Sequence, residues 1–250
     1  MKFSIITATR NSEKTIKKTL NSVNSQSYQD IEHIIVDGKS TDQTLNIVDK
    51  FGNRVTNLIS EKDDGIYDAL NKGIKIASGD IIGFLHSDDV FMNNNVISRI
   101  ASAFIDKKCD LVYGDVIFFK NGNVNDRVRF YNSPELSSRN LSWGKMPAHP
   151  AMFLKKAFYD DCGYFDVGYK IAGDYEFLCR LMSKHKVDVV KMCEIFVAMQ
   201  IGGVSTSGLK STIKLNQEIY KACNDNGIYT NSFMLLSKYP SKVLEFFRLH

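Results

Sequence analysis

The 250-residue sequence lacks the patterns that mark several classes of protein. Its five cysteines (Cys109, Cys162, Cys179, Cys193 and Cys223) form no CxxC pair and are odd in number, which argues against a disulfide framework or a structural zinc site. We therefore expect reduced, mostly buried thiols and a cytoplasmic protein. No stretch approaches 18 consecutive apolar residues, and the apolar N-terminal run is too short for a signal peptide, so no membrane-spanning segment is predicted.

An excess of one charge is also missing. The chain has 32 Lys and Arg against 28 Asp and Glu, a net charge of +4, and no basic stripe interleaved with aromatic residues. We therefore expect no nucleic-acid partner. Hydrophobic residues make up 44% and charged residues 24%, which is typical of a globular protein. The length predicts one large domain, or a domain with a small appendage.

The first hundred residues alternate between predicted strands and predicted helices. Apolar runs predict strands over residues 2–8, 31–36, 55–60 and 81–85, and helical spacing predicts helices over residues 15–23, 43–51, 66–77 and 90–105. This α/β alternation predicts a Rossmann-like, mostly parallel sheet with helices on both faces. Because parallel strands end at one edge of a sheet, polar residues that follow different strands should meet there.

Two adjacent carboxylates follow the fourth predicted strand, in Ser87-Asp88-Asp89. Oxygen donors at the carboxyl end of a strand suit Mg²⁺ or Mn²⁺, with substrate phosphates completing the coordination shell. The alternative is a polar turn that caps the helix predicted over residues 90–105. These residues by themselves leave both interpretations open.

The second half of the chain has a different pattern. Two apolar runs, residues 111–119 and 124–130, flank Asn121-Gly122, which predicts a hairpin. A helix is predicted from Gly173, a strand within residues 187–199, and two final helices over residues 209–226 and 232–249. The change near residue 108 is a change of topology inside one domain.

Four motifs in order resemble those of a known enzyme family. They are Thr7-Ala8-Thr9-Arg10-Asn11, Val36-Asp37-Gly38-Lys39-Ser40-Thr41-Asp42, the segment from Asp64 to Gly73, and Ser87-Asp88-Asp89. At these spacings they resemble the family 2 inverting glycosyltransferases with the GT-A fold, of the bacterial polysaccharide and O-antigen type. The resemblance covers residues 1–205, with a nucleotide-binding half (1–107) and an acceptor half (108–205). A C-terminal helical extension (206–250) lies outside it.

The resemblance implies transfer of a hexose or N-acetylhexosamine from a nucleotide-diphosphate sugar, with UDP favoured, to a saccharide or lipid-linked acceptor in surface polysaccharide synthesis. It assigns Asp37 to base recognition, where a carboxylate can accept the uracil imide N–H. Thr7, Ala8 and Arg10 belong to the same implied pocket, and Asp64 lines the nucleotide. Asp37-Gly38 in isolation is equally consistent with a turn.

The resemblance also assigns the metal, the base and the acceptor site. Asp89 is implied to bind Mn²⁺ or Mg²⁺, and Asp88 to bind the metal or the ribose. The family's acidic motif has a carboxylate where this chain has His86. Asp174 matches the catalytic-base position, although Asp at a helix start is also an ordinary cap. His149 resembles a position near the acceptor, and Trp143, the only tryptophan, is a candidate for stacking on a sugar.

Two segments and the choice between functions are left open by the sequence. Residues 202–205 resemble a mobile loop that closes over the donor. Residues 207–250 carry six Lys and Arg against three acids, with apolar runs between them, which predicts peripheral contact with the inner face of a membrane, a homodimer contact, or packing on the domain. The alternative functions are a nucleotidyltransferase, which would need a glycine-rich basic loop after the first strand, and a non-catalytic nucleotide-sugar binding protein.

Overall fold

The computed structural model describes residues 1–202 and 208–237. Within these ranges one sheet contains β1 Phe3–Thr9, β2 Ile31–Asp37, β3 Val55–Ser60, β4 Ile81–Phe84, β5 Val90–Phe91, β6 Leu111–Lys120, β7 Asn123–Tyr131, β8 Met152–Lys155 and β9 Val189–Gln200. The helices are α1 Ile16–Asn24, α2 Thr44–Phe51, α3 Ile66–Ile76, α4 Val96–Lys107, α5 Ser138–Ser142, α6 Lys156–Cys162, α7 Gly173–Lys184, α8 Gly208–Asp225 and α9 Ser232–Leu236. A 3-10 turn spans His149–Ala151.

The first half of the chain forms the parallel part of the sheet, in the order β3-β2-β1-β4. Strand β2 is buried at every position, as expected for a strand covered by helices on both faces. The predicted alternation of strands and helices is confirmed as far as β4. Since these strands are parallel, the segments that follow Thr9, Asp37, Ser60 and Phe84 all leave the sheet at the same edge.

The second half adds antiparallel strands beside β4. Strand β8 pairs antiparallel with both β4 and β6, whereas β9 runs parallel to β6. The predicted hairpin is confirmed as β6 and β7. Asn121 (φ 56°) and Gly122 (φ 68°) both adopt the left-handed conformation that a type I′ hairpin turn requires.

Residues 90–105 do not form a single helix, so that prediction was wrong. Val90 and Phe91 form the short strand β5, which pairs with Ala198 and Val197 of β9, and α4 begins only after Asn95. Apolar spacing did not distinguish a strand from a helix at Val90 and Phe91, because these side chains would be buried in either element. The interpretation of Asp88-Asp89 as a cap for this helix is therefore also wrong.

The hydrophobic core lies on both faces of the sheet. On one face Ile6 and Ile34 pack with Leu70 and Ile74 of α3. On the other face a cluster that includes Phe3 and Phe104 joins the sheet to α4. Burying one such side chain stabilises the fold by about 1.5–3 kcal/mol, so the two layers hold the strand ends in fixed positions.

The C-terminal helix α8 packs against α7 through Ile219, Ala222 and Cys223, which are buried in the first core. The predicted last helix is present as α9 from Ser232, and its continuation beyond residue 237 lies outside the described residues. The described cysteines are free thiols, four of them buried and Cys193 exposed, as expected. Among the helices described, none has the length and apolar character needed to cross a membrane.

Candidate active site

Hydrogen bonds join the segments that follow β1, β2 and β4 at one rim of the sheet. The Ser12 and Ser87 hydroxyls are 2.9 Å apart, and the backbone N–H of Asn11 donates to the Ser40 hydroxyl at 2.8 Å. Asn11 (φ 49°) and Lys39 (φ 59°) both adopt a left-handed conformation that is uncommon for residues other than glycine. Such backbone strain is typical of functional sites.

Asp37, the predicted base-recognition residue, is completely buried at the end of β2. The backbone N–H of Ser40 and the hydroxyl of Ser60 donate to its carboxylate at 2.9 and 2.7 Å, and the Ser40 hydroxyl donates to the other oxygen. The structure therefore shows a carboxylate that orders the turn over residues 37–40, while its contact with a nucleotide stays a prediction.

The three residues predicted after β1 differ in exposure. Thr7 is completely buried, and its hydroxyl donates to the carbonyl of Leu85 at 2.6 Å and lies 2.9 Å from Nε2 of His33. Thr7 therefore links β1 to β4, and its contact with a nucleotide stays a prediction. Ala8 is half-buried, and Arg10 is exposed at the rim with no ion pair among the described residues.

Sequence reasoning selected Asp64 and missed Asp63. The Asp63 carboxylate lies so close over Gly38 that a Cβ atom there would collide with it, and the Arg10 side chain borders the same spot. Asp64 is exposed and instead lines a small surface pocket with Tyr67, Tyr169 and Lys170. Asp63 thus borders the rim next to Asp37, and the contact of Asp64 with a nucleotide stays a prediction. Two adjacent acids in a loop give no sequence signal for which one faces inward.

Asp88 and Asp89 follow β4 at the same rim. Asp89 is buried, and one carboxylate oxygen accepts the backbone N–H of Gln200 at 3.2 Å, while Oδ2 has no partner. Burial, reinforced by the negative charge of Asp88, raises the pKa of Asp89 well above its ordinary value. A buried carboxylate oxygen without a donor is a ligand atom available to a cation.

This donor set fits one divalent ion with an open coordination shell. No three His, Cys, Asp or Glu side chains cluster as a metal cage within residues 1–202 and 208–237. Asp88 and Asp89 would therefore supply only part of a shell, and phosphate oxygens would supply the rest, which is the usual arrangement for Mg²⁺ at phosphate sites.

A row of aromatic rings and imidazoles runs from this acidic rim into the core. The rings of His86 and His149 are 6.1 Å apart, and His149 stacks on Phe84 at 4.7 Å and meets Phe165 edge-on at 5.6 Å. His86 Nδ1 and His149 Nε2 are buried without partners. Burial, helped by His86, lowers the pKa of His149 to about 3, so its imidazole is neutral at pH 7.

Asp174 lies at the other end of this row, in the first turn of α7. Tyr67, whose ring is 5.6 Å from Phe165, places its hydroxyl 3.1 Å from Asp174 Oδ1 and 2.7 Å from the carbonyl of Ile171. Burial raises the pKa of Asp174, while hydrogen bonds from the backbone N–H of Tyr175 and from Tyr67 oppose the rise. A half-buried carboxylate with a raised pKa is suited to accept a proton.

Glu176 and the predicted acceptor residue Trp143 lie apart from this row. Glu176 points away from Asp174 and forms a buried bidentate pair with Arg180 at 2.9 and 3.0 Å, so Arg180 does not pair with Asp174. Trp143 is half-buried at the end of α5, and no hydrogen bond or ring contact described for residues 1–202 joins it to the row. Residues 203–205 of the predicted closing loop lie outside the described residues.

The sheet and its acidic rim define a GT-A type α/β transferase fold. The sequence matches the model of glycosyl transferase family 2 over residues 4–161. It is 33% identical over 217 residues to the PGL/p-HBAD biosynthesis glycosyltransferase of Mycobacterium bovis, covering 82% of this chain and 79% of that protein. It is 38% identical over 132 residues to the poly(ribitol-phosphate) beta-N-acetylglucosaminyltransferase TarS of Staphylococcus aureus, covering 51% of this chain and 22% of TarS. The chain belongs to glycosyltransferase family 2.

Solved structures show the same fold. The S. aureus TarS fragment 1–349 in complex with UDP-GlcNAc superposes with a TM-score of 0.69 at 26% identity, covering 89% of this chain and 66% of that one. The mannosyltransferase PcManGT of Pyrobaculum calidifontis, in complex with GDP-Man and Mn²⁺, superposes with a TM-score of 0.61 at 14% identity, covering 99% and 81%. The chain spans 43% of the longer TarS structure.

Proposed function

We propose that this protein is a metal-dependent, inverting glycosyltransferase that moves a hexose or N-acetylhexosamine from a UDP-sugar to a saccharide or lipid-linked acceptor. The observation that carries the proposal is the row of rings that joins the Asp88-Asp89 rim to a half-buried Asp174. One end of the row offers ligand atoms for a diphosphate-bound cation, and the other offers a proton acceptor. The UDP-GlcNAc complex of TarS supports a UDP-sugar donor.

In the proposed reaction Asp174 takes the proton of the acceptor hydroxyl as that oxygen attacks the anomeric carbon from the side opposite the diphosphate. The bond from the anomeric carbon to the diphosphate breaks in the same displacement, which inverts the configuration. Asp89 and Asp88 would hold the divalent ion, which would offset the negative charge of the diphosphate leaving group. Tyr67 orients the Asp174 carboxylate.

The remaining predicted residues take positions around these two groups. The proposed nucleotide wall includes Asp63 and the predicted residues Thr7, Ala8, Arg10, Asp37 and Asp64, and the Thr7 hydroxyl also bonds to the segment after β4. His149 and Trp143 stay proposals for the acceptor side. Manganese, a role in O-antigen synthesis and a cytoplasmic location at the inner face of a membrane belong to the same proposal.

A panel of UDP- and GDP-sugars with Mn²⁺, Mg²⁺ or EDTA tests the donor and the metal. We expect UDP release from at least one UDP-sugar, loss of that activity in EDTA, and an inverted anomer as the first product seen by proton NMR. Asp174→Asn should bind UDP normally and lose transfer by about 100-fold or more. Full transfer by Asp174→Asn would contradict the mechanism, and binding without turnover of any donor would favour a non-catalytic protein.

A further inference from the structure

Glu218 of α8 reaches the segment that precedes the proposed base. It lies outside the family match over residues 4–161, and its side chain is 4% exposed. Its carboxylate accepts the backbone N–H groups of Ile171 and Ala172, each at 2.9 Å, and that of Lys170 at 3.1 Å. One buried carboxylate thus satisfies three consecutive backbone donors.

One of these donors belongs to the start of α7, since Ala172 is its N-cap residue, and the other two, Lys170 and Ile171, directly precede it. The first N–H groups of a helix have no partner inside the helix, and a carboxylate there is also stabilised by the helix dipole. The N-terminus of α7 therefore depends on a side chain from α8. Since Asp174 lies in the first turn of α7, the orientation of the base depends on the same contact.

A second contact connects this cap to the base. The carbonyl of Ile171, whose N–H binds Glu218, accepts the Tyr67 hydroxyl at 2.7 Å. The same hydroxyl lies 3.1 Å from Asp174. A shift of the backbone at Ile171 would move both the Tyr67 hydroxyl and the carboxylate that it orients.

We propose that Glu218 is a positioning residue for catalysis: it fixes residues 170–172 and thereby the orientation of Tyr67 and Asp174. The inference rests on the proposed function, in which Asp174 is the base. In this proposal α8 helps to form the active site, although the family match ends before α8.

The negative charge of Glu218 also affects the pKa of Asp174. The groups that face Asp174 are the Tyr67 hydroxyl of α3, the backbone N–H of Tyr175 and, at longer range, the carboxylate of Glu218. After burial, which is the largest cause, the Glu218 charge adds to the rise in the pKa of Asp174. Lys214 approaches Glu218 to 3.5 Å and is itself half-exposed.

The experiment compares Glu218→Gln and Glu218→Ala with the control Gln217→Ala, an exposed neighbour on the same helix. The donor is the UDP-sugar with the fastest UDP release, and UDP binding is measured separately. We expect Glu218→Ala to lower kcat by about 10- to 100-fold, because small misplacements of a catalytic group have effects of this size. The KM for the donor should stay within about twofold. Amide hydrogen exchange at residues 170–172 should become faster.

Glu218→Gln keeps one acceptor oxygen and removes the charge. We expect it to recover part of kcat and to shift the acidic limb of the pH profile to lower pH, because the pKa of Asp174 falls when a nearby negative charge is lost. Recovery of kcat with a shifted limb is not expected from a residue that only stabilises the fold. If Glu218→Ala does not fold, these two readouts of Glu218→Gln carry the test.

The outcomes separate this inference from the proposed function. If Asp174→Asn is inactive and both Glu218 variants match Gln217→Ala in kcat and pH profile, the inference is overturned and the proposed function stands. A parallel loss of UDP binding and kcat in the Glu218 variants also overturns the inference, since it indicates general unfolding. Full activity in Asp174→Asn overturns the proposed function and the inference together.

Discussion

At the scale of single residues, the buried carboxylate of Asp89 and the half-buried carboxylate of Asp174 carry the proposed chemistry at the expense of stability. Asp89 and Asp174 both have raised pKa values, and burial is the largest cause of each. A carboxyl whose pKa is higher in the folded than in the unfolded protein favours folding at low pH. That contribution is lost as the pH rises through the folded-state pKa. At neutral pH both groups therefore lower the stability of the folded protein.

Asp89→Asn should stabilise the metal-free protein at pH 7, because the variant has no buried charge to accommodate. We expect a gain of about 1 kcal/mol, which corresponds to a rise in Tm of roughly 2–4 °C for a chain of this size. The rise in Tm that Mn²⁺ produces in the unaltered protein should disappear in this variant. Thermal unfolding with and without Mn²⁺ measures both effects, with the exposed Asp106→Asn as the control. Retained stabilisation of Asp89→Asn by Mn²⁺ would argue against Asp89 as a ligand.

Tyr67→Phe should shift the pH profile in the direction opposite to Glu218→Gln. The Tyr67 hydroxyl donates a hydrogen bond that lowers the pKa of Asp174. Its removal therefore raises that pKa, and the acidic limb of kcat moves to higher pH because a base acts only when deprotonated. Steady-state kinetics from pH 5 to pH 9 measure the shift. Tyr28→Phe serves as the control, because it removes a remote exposed hydroxyl that is bonded to the carbonyl of Met1. It should leave the acidic limb of the kcat profile in place.

The sequence predicted the positions of candidate site residues at strand ends better than those of residues in loops. The positions of Asp37, Asp88 and Asp89 follow from parallel strands that share an edge. Asp63 was missed because the inward face of a loop has no periodicity. Glu218 was missed because a residue forty-four positions after Asp174 caps that helix only through tertiary packing.

At the scale of elements, a polar contact holds the end of the sheet opposite to the site. Buried Glu32 of β2 accepts hydrogen bonds from Ser4 of β1, from Ser78 and Gly79 before β4, and pairs with Lys2 at 2.7 Å. Burial tends to raise the pKa of Glu32, but the hydrogen bonds from Lys2, Ser4 and Ser78 outweigh it and lower the pKa to about 2. The ionised side chain thus fastens three parallel strands together.

Glu32→Gln should destabilise the protein by about 2 kcal/mol at pH 7, since it leaves buried donors without an acceptor. A lowered pKa means that the stabilisation is complete above the ordinary value of 4.5 and is lost as the pH falls towards 2. Urea unfolding at pH 7 and at pH 3 should therefore show a smaller difference between variant and parent at pH 3. Glu61→Gln removes an exposed partner of Lys72 and should change stability by less than about 0.5 kcal/mol at either pH.

The elements themselves were predictable where apolar periodicity is unambiguous. Strands β1 to β4 and helices α1 to α3 follow from local pattern, and the β6–β7 hairpin follows from Asn121-Gly122. The order of the remaining strands did not follow, because β8 and β9 insert beside β4 and β6 through contacts distant in sequence. Val90 and Phe91 became a strand rather than helix for the same reason: their partner is β9.

At the scale of the whole molecule, the C-terminal helices have one packed side and one open side. The inner side of α8 joins the core, while Ile213 and Tyr220 are exposed on a side that also carries Lys214 and Lys221. After α8, Tyr229 and Phe233 are each 76% exposed and Leu236 is 57% exposed. Exposed aromatic residues near lysines are typical of surfaces that contact anionic lipid. The structure thus combines packing on the domain with a surface open to a partner, and the partner stays a prediction.

We predict that the full chain binds vesicles containing phosphatidylglycerol and does not bind vesicles of phosphatidylcholine alone. Binding should weaken several-fold between 50 and 500 mM salt, because screening reduces the attraction between lysines and anionic headgroups. Phe233→Ser should reduce the bound fraction in co-sedimentation, since it removes an exposed apolar contact without disturbing the core. Ile105→Ser, an equally polar change at a 63% exposed position on α4, should bind as the parent does. A concentration-dependent dimer that Phe233→Ser dissociates, together with no vesicle binding, would assign this surface to a second copy of the chain instead.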